Sequence, residues 1–207
     1  MDNENIDVNG LNDINLVTNL FSKVNGLGED NCFLVVLNRD YLVTGGAADS
    51  LNVAGARVGA KAGGVAGGIV GGAIANSITN SVNQAVAEFY SKLNDKQKVL
   101  YNNSVYGGFL VNITSNGMGV IPLTNNNKII ANIKNFRTDI DNYVYFSNDE
   151  IEKIELRKMP LRFSVKQLAV RFKNLGNVAT PWTLPKKHKL ISYQKENYEK
   201  LVNKLQK

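Results

Sequence analysis

Residues 151–172 read IEKIELRKMPLRFSVKQLAVRF, and the hydrophobic pattern of this stretch decides the fold class. We interpret the apolar residues on each side of Pro160 as one face of an alternating strand: Ile151, Ile154 and Leu156 before it, and Phe163, Val165, Leu168, Val170 and Phe172 after it. Such a pattern predicts strands with one buried and one solvated face, as in antiparallel sheets. We therefore expect residues 151–158 and 163–172 to form two half-buried antiparallel strands.

The chain that follows predicts a closing helix. Leu190 and Ile191 indicate a short strand. Residues 193–207 then place four apolar side chains on one side of a helix, namely Tyr198, Leu201, Val202 and Leu205. The predicted order is strands first and a capping helix last.

The preceding region alternates apolar runs with turn residues. Three apolar runs are separated by two polar triplets: residues 105–113, 118–123 and 143–146, with Ser115-Asn116-Gly117 and Asn125-Asn126-Asn127 between them. This punctuation predicts further strands joined by turns. Residues 128–136 fit either a helix or a strand.

The N-terminal region predicts an amphipathic helix and a hairpin. Apolar residues at three- and four-residue spacing mark a helix that ends near Gly26: Leu11, Ile14, Val17, Leu20, Phe21 and Val24. Residues 33–37 then predict a strand, 38–40 a turn and 41–44 a returning strand.

A glycine- and alanine-rich stretch, residues 55–75, follows this hairpin. Its small residues form two rows in which successive members are four positions apart. One row contains Gly55, Gly59, Gly63, Gly67 and Gly71, and the other contains Ala56, Ala60, Gly64, Gly68 and Gly72. On a helix the rows make one flat face without side chains. Eight glycines at about 1 kcal/mol each disfavour a solitary helix by on the order of 8 kcal/mol. We therefore expect something to pack closely on that face.

Three interpretations of this stretch compete. Small residues at four-residue spacing favour close helix–helix packing, in lipid or in a homo-oligomer; the helix could instead pack on its own domain, or the segment could be disordered. Arg57 and Lys61 leave only residues 62–75 uncharged, which is shorter than the roughly 20 residues of a spanning helix. A second amphipathic pattern follows residues 76–80, so residues 51–98 predict an inserted helical hairpin.

Charge is concentrated at the C-terminal end. Residues 151–207 hold 14 lysine and arginine residues against 4 glutamates, although the whole chain has a net charge of +6. Its loop residues Trp182, Lys186, Lys187 and Lys189 are candidates for contact with an anionic surface. The alternatives are a solvated lysine-rich surface and a Trp182 that plugs the end of the sheet.

Three segments carry a family resemblance: VLNRDYLV at 36–43, VYFSNDEIEKIELRK at 144–158 and NYEKLVNKL at 197–205. They resemble bacterial pleckstrin-homology-like (PH-like) and GRAM-like domains. The resemblance implies an α+β fold, with a PH-like antiparallel β-sandwich or partly open barrel and a C-terminal helix. Residues 1–207 would be one such domain, interrupted at 51–98 by the Gly/Ala-rich helical hairpin. The family binds phospholipid headgroups, peptides or proteins.

Catalytic and metal-binding patterns are sparse. The one cysteine, Cys32, and the one histidine, His188, form no zinc cluster. His188 lies between Lys187 and Lys189, whose charge would lower its pKa, and we interpret it as a surface or turn residue. Carboxylates are paired at Asp139 and Asp141 and grouped at residues 149–155, where basic residues are interleaved with them; we interpret both sets as solvated strand and turn charges. We predict no catalytic residue, no metal and no cofactor.

The resulting expectation is a non-enzymatic binding module that contacts a membrane or self-associates through the Gly-rich helix. The alternative is a soluble protein–protein interaction module whose Gly-rich helix packs on its own sheet or in a homodimer. Residues 1–10 are acidic and polar and predict no secretory signal. We expect a cytoplasmic protein, peripheral at the inner face of the membrane if it contacts lipid. Aromatic residues at core-facing positions argue against nucleic-acid binding.

Overall fold

The structure, a computed structural model, describes residues 5–25, 32–38, 87–101, 106–125, 136–159, 162–180, 182–188 and 191–205. The described residues combine helices with an antiparallel sheet, so the fold class is α+β. The helices are α1 (Val8–Leu11), α2 (Ile14–Asn25), α3 (Asp95–Tyr101) and α4 (Gln194–Leu205). Residues 87–91 are also helical, and 3-10 helices cover Ile140–Asn142 and Lys173–Leu175.

Eight strands are described. They are β1 (Cys32–Asn38), β2 (Gly108–Ile113), β3 (Gly117–Asn125), β4 (Phe136–Thr138), β5 (Val144–Ser147), β6 (Ile151–Met159), β7 (Arg162–Phe172) and β8 (Trp182–Pro185). All pair in antiparallel fashion in the order β4-β3-β2-β1-β8-β7-β6, and β5 also pairs with β3.

Strand β1 joins two antiparallel ladders. It pairs with β2 from Cys32 to Leu37, but with β8 only through Leu37 and Asn38. One ladder therefore contains β2 to β5 and the other contains β6 to β8. Among the strands that the structure describes, no pairing joins β6 to the first ladder, so the sheet remains open.

An inner core lies between the two ladders and the helices. On β2, Phe109, Val111 and Ile113 point into it, because alternate residues of a strand share one face. Its solvent-inaccessible members come from β1, both ladders, α3 and α4: Val36, Leu100, Phe109, Val111, Met118, Val120, Phe146, Leu168, Val170, Phe172, Trp182, Leu184 and Leu201. Helix α4 packs against β1 and β6 and closes this core.

A second, outer core covers the opposite face of β2 and β3. Leu110, Ile121 and Leu123 project into it from the strands. The remaining buried members come largely from α1, α2 and the segment before α4: Leu11, Val17, Leu20, Phe21, Phe136, Ile140, Ile191 and Tyr193. Both faces of these strands are thus buried, which is why all six residues of β2 are buried.

Most strands and the closing helix agree with the sequence predictions. The strands predicted at 151–158 and 163–172 are β6 and β7, and the predicted closing helix is α4. The runs at 105–113, 118–123 and 143–146 coincide with β2, β3 and β5.

The predicted N-terminal helix is divided in two. The side-chain Oδ1 of Asp13 accepts hydrogen bonds from the backbone N–H groups of Asn15 (2.9 Å) and Leu16 (3.4 Å). A capping side chain of this kind starts a new helix, because it satisfies backbone N–H groups that have no partner within the helix. The predicted helix from Leu11 to Val24 is confirmed over α2, which ends next to Gly26 as predicted, but its predicted start is wrong because Leu11 belongs to α1.

Three predicted elements fall wholly or largely outside the described residues. These are the returning strand at 41–44, the part of the inserted hairpin at 51–86, and the segment at 128–136, of which Phe136 alone is described, as the first residue of β4. The remainder of the insertion comprises the 87–91 helix and the start of α3, and it buries Phe89 and Leu93 in the inner core. Leu190 also lies outside, whereas Ile191 forms an isolated bridge with His188.

Candidate anion-contact surface

Trp182 is a residue of the inner core. It begins β8, is completely inaccessible to solvent and packs against Phe109, with the two ring centroids 5.0 Å apart. Its direct partner on β7, Leu168, is equally inaccessible. The expectation that Trp182 forms part of a surface contact is therefore wrong, and its position inside the sheet corresponds to the plug alternative.

Lys186 and Lys187 lie on the surface directly after β8. Both residues are exposed. The Nζ atom of Lys186 is 3.8 Å from Oε1 of Glu199 on α4, and the two side chains are 47% and 52% exposed. An ion pair at this distance and exposure contributes little to stability. Both lysines therefore remain available to an external anion.

The chain between β8 and α4 is anchored at several points. Gln194 donates from Nε2 to the carbonyl of Pro185 (3.1 Å), and the hydroxyl of Tyr193 donates to the carbonyl of Leu11 (2.6 Å). The backbone N–H of Ser192 donates to Oδ1 of Asn12 (2.7 Å). These bonds fix the chain on both sides of the lysines, at the end of β8 and at residues 192–193, relative to α4 and α1.

His188 is half-buried within this loop, at the bridge with Ile191. Burial lowers the pKa of its imidazole below the ordinary value of 6.5. The direction is the one expected from the sequence, but the cause is desolvation rather than the charge of the adjacent lysines. The positive charge of the loop at neutral pH thus comes from its lysines.

Two further lysines lie close to this loop. Lys158 on β6 is the direct cross-strand partner of Lys166 on β7, and Lys166 is opposite Leu184 on β8. Sequence reasoning missed this arrangement because it grouped Val165 with Leu168 on one alternating face. The structure corrects that grouping, since residues three apart on a regular strand lie on opposite faces. Lys166 is two residues from Leu168 and therefore lies on the same face of β7 as Leu168, the face toward the inner core.

The remaining predicted residues cannot be placed. Lys189 and the glycines of the Gly-rich stretch lie outside the described residues: Gly55, Gly59, Gly63, Gly64, Gly67, Gly68, Gly71 and Gly72.

Several carboxylates of the described surface form ion pairs with basic side chains. Glu155 lies between Lys153 (2.7 Å) and Arg157 and forms ion pairs with both. The hydrogen bond from Lys153, followed by that from Arg157, lowers the pKa of Glu155 despite its partial desolvation. Across the described ranges, no group of three or more histidine, cysteine, aspartate or glutamate residues is arranged to hold a metal ion.

None of the described helices is both long enough and apolar enough to cross a membrane. Comparisons of the chain with protein-family models, with curated proteins and with solved structures give no match.

Proposed function

We propose that the protein is a non-enzymatic, PH-like binding module that docks on an anionic membrane surface through the loop carrying Lys186 and Lys187. The observation that carries this proposal is the combination of exposure and anchoring in that loop. Its lysines face solvent, while hydrogen bonds anchor the chain before them at Pro185 and after them at Ser192 and Tyr193. Positive charges next to a lipid surface attract anionic headgroups, by about 1 kcal/mol per lysine.

The fold supports the PH-like part of the proposal. An antiparallel sheet that stays open, with a C-terminal helix packed on its inner core, is the architecture that the family resemblance implies. The agreement concerns architecture alone, and fold does not fix function. The ligand is therefore argued from the lysines.

The Gly-rich segment supplies the second contact of the proposal. The flat face that its sequence predicts for a helix would suit close approach to another helix, either in a second copy of the chain or after shallow insertion into lipid. This contact is apolar and should persist in high salt, whereas attraction between lysines and headgroups is screened. The two contributions can thus be separated experimentally.

The test compares the full-length chain with the double variant Gly63→Leu/Gly67→Leu. Each leucine places a bulky side chain on the flat face and should abolish close packing. We expect the folded variant to lose salt-resistant flotation with liposomes, or to fall to a lower mass in light scattering. A folded variant with unchanged flotation and unchanged mass would contradict the role of the glycine rows. A wild-type chain that does not float but has a defined monomer or dimer mass would favour the soluble interaction module.

A further inference from the structure

Lys158 and Lys166 form a like-charge pair on the inner side of the β6–β8 ladder. In the same register, Leu156 pairs with Leu168, which belongs to the inner core, and Lys158 and Lys166 are the next residues of that face. Direct cross-strand partners have Cβ atoms about 4.5–5.5 Å apart, and like charges at this separation destabilise a sheet. The pair therefore requires an explanation.

Protection of a sheet edge against aggregation explains Lys158 but not Lys166. Lysines on an outermost strand discourage edge-to-edge aggregation, and Lys158 lies on β6, the last strand of the sheet order. Lys166 lies on β7, which pairs with strands on both sides, and it is half-buried. A cation on an inner strand, opposite another cation, serves no such purpose.

Lys186 is a third lysine near Lys158 and Lys166. Lys166 is opposite Leu184, and Lys186 follows two residues later, about 7 Å along the chain. Lys186 has Glu199 as a distant partner at 3.8 Å. Among the described carboxylates, none pairs with Lys158 or Lys166. By register, Lys158 and Lys166 are thus neighbours, Lys186 follows the strand next to Lys166, and Glu199 is the carboxylate near Lys186.

We propose that Lys158, Lys166 and Lys186, together the lysine rim, bind a phosphate group that carries more than one negative charge. Such an anion would remove the repulsion between the first two lysines. Its several oxygens accept the charge-assisted hydrogen bonds that lysines donate. The inference deepens the proposed membrane contact and rests on it through Lys186, which both use; it does not require the Gly-rich segment.

The test is isothermal titration of the full chain with sodium pyrophosphate at low ionic strength. We expect saturable binding whose affinity falls by about tenfold or more in Lys158→Gln/Lys166→Gln, because this variant cannot donate the two sets of charge-assisted hydrogen bonds. The matched control is Lys23→Gln/Lys98→Gln, which removes the same charge from exposed positions on α2 and α3. Absence of binding, or equal losses in the two double variants, would overturn the lysine rim.

A second variant keeps the test decisive if the first does not fold. Glu199→Gln removes the carboxylate that competes for Lys186, so pyrophosphate affinity should rise by about two- to fivefold. An unchanged or weaker affinity would count against the lysine rim.

Vesicles distinguish the source of the phosphate. Anionic vesicles with and without a phosphorylated inositol lipid are floated with the wild type and with both double variants. Selective loss in Lys158→Gln/Lys166→Gln assigns the rim to a lipid headgroup. If the protein binds pyrophosphate but does not float with vesicles, the lysine rim binds a soluble phosphate compound and the membrane contact is rejected. If it floats without dependence on Lys158 and Lys166 and does not bind pyrophosphate, the lysine rim alone is rejected.

Discussion

The ammonium group of Lys96 lies 2.5 Å from Oε1 of Glu150 and donates to the carbonyl of Tyr145 at 3.0 Å. It also lies over the ring of Phe146, 5.2 Å from the centroid. One side chain of α3 thus contacts both β5 and the turn that leads to β6. The contact holds α3 on the first ladder and helps to close the inner core.

This ion pair predicts a loss of stability in acid. Burial by itself would raise the pKa of Glu150, but hydrogen bonds from Lys96 and from the N–H of Ser147 outweigh it and lower the pKa below 4.5. A lowered pKa in the folded state stabilises the protein fully above the unfolded value, and this stabilisation disappears as the pH falls through the folded value.

We therefore expect Glu150→Gln to cost about 1 kcal/mol at neutral pH and progressively less below pH ~4.5. Urea unfolding of wild type and variant across this range measures the difference. Glu152→Gln, at an exposed position on β6 two residues later, is the control. A cost that does not change with pH would show that Glu150 does not act through its charge.

The burial of Trp182 leads to two predictions, one on the stability of the fold and one on tryptophan fluorescence. Its replacement by alanine removes a completely buried side chain and should destabilise the fold by about 3–5 kcal/mol. Because it is the one tryptophan of the chain, its emission reports this site without interference. We expect no change in that emission when anionic vesicles are added, since the ring lies in the inner core. Quenching by brominated lipids would place the ring in the membrane instead.

Two glycines form a matched pair for backbone strain. Gly117 has φ +156°, and a Cβ there would lie 2.2 Å from the carbonyl oxygen of Phe146. At Gly176, with φ +56°, a Cβ would meet nothing within 4 Å. Gly176→Ala should therefore cost about 1 kcal/mol from its left-handed conformation alone, and Gly117→Ala considerably more. Denaturant midpoints of the two variants measure the difference, and equal costs would refute the steric explanation.

The hydroxyl of Tyr193 predicts the order of the lysine-bearing loop. Tyr193→Phe removes the bond to Leu11 with no change in ring packing and should cost about 1 kcal/mol. Amide hydrogen exchange in residues 186–192 should become faster, because the loop loses one attachment to α1. Unchanged exchange with lower overall stability would mean that the bond supports the outer core alone.

Local hydrophobic patterns in the sequence predicted most helices and strands well, but not their boundaries or the contacts between them. Alternation identified β6 and β7, and helical spacing identified α4, because each depends on residues close in sequence. The break between α1 and α2 depends on one capping aspartate, Asp13, whose effect the apolar spacing concealed.

The candidate site was predictable only in part. Lys186 and Lys187 follow an apolar strand and are recognisable as loop charges. The pairing of Lys158 with Lys166 depends on the register of β6 and β7, which shifts between Lys158 and Met159. The burial of Trp182 depends on Phe109, 73 positions earlier in the chain. Neither contact leaves a local signal, although the three-residue step from Val165 to Leu168 marks the point where alternation fails.

The proposed membrane contact is tested most directly by liposome flotation of the wild-type chain beside Lys186→Gln/Lys187→Gln, with anionic and neutral lipids at low and high salt. We predict flotation with anionic lipids at low salt, a clear reduction in the lysine variant, and a residual salt-resistant fraction that depends on the Gly-rich segment. Flotation that is equal for both proteins, or absent with anionic lipids at low salt, would contradict a membrane contact through this loop.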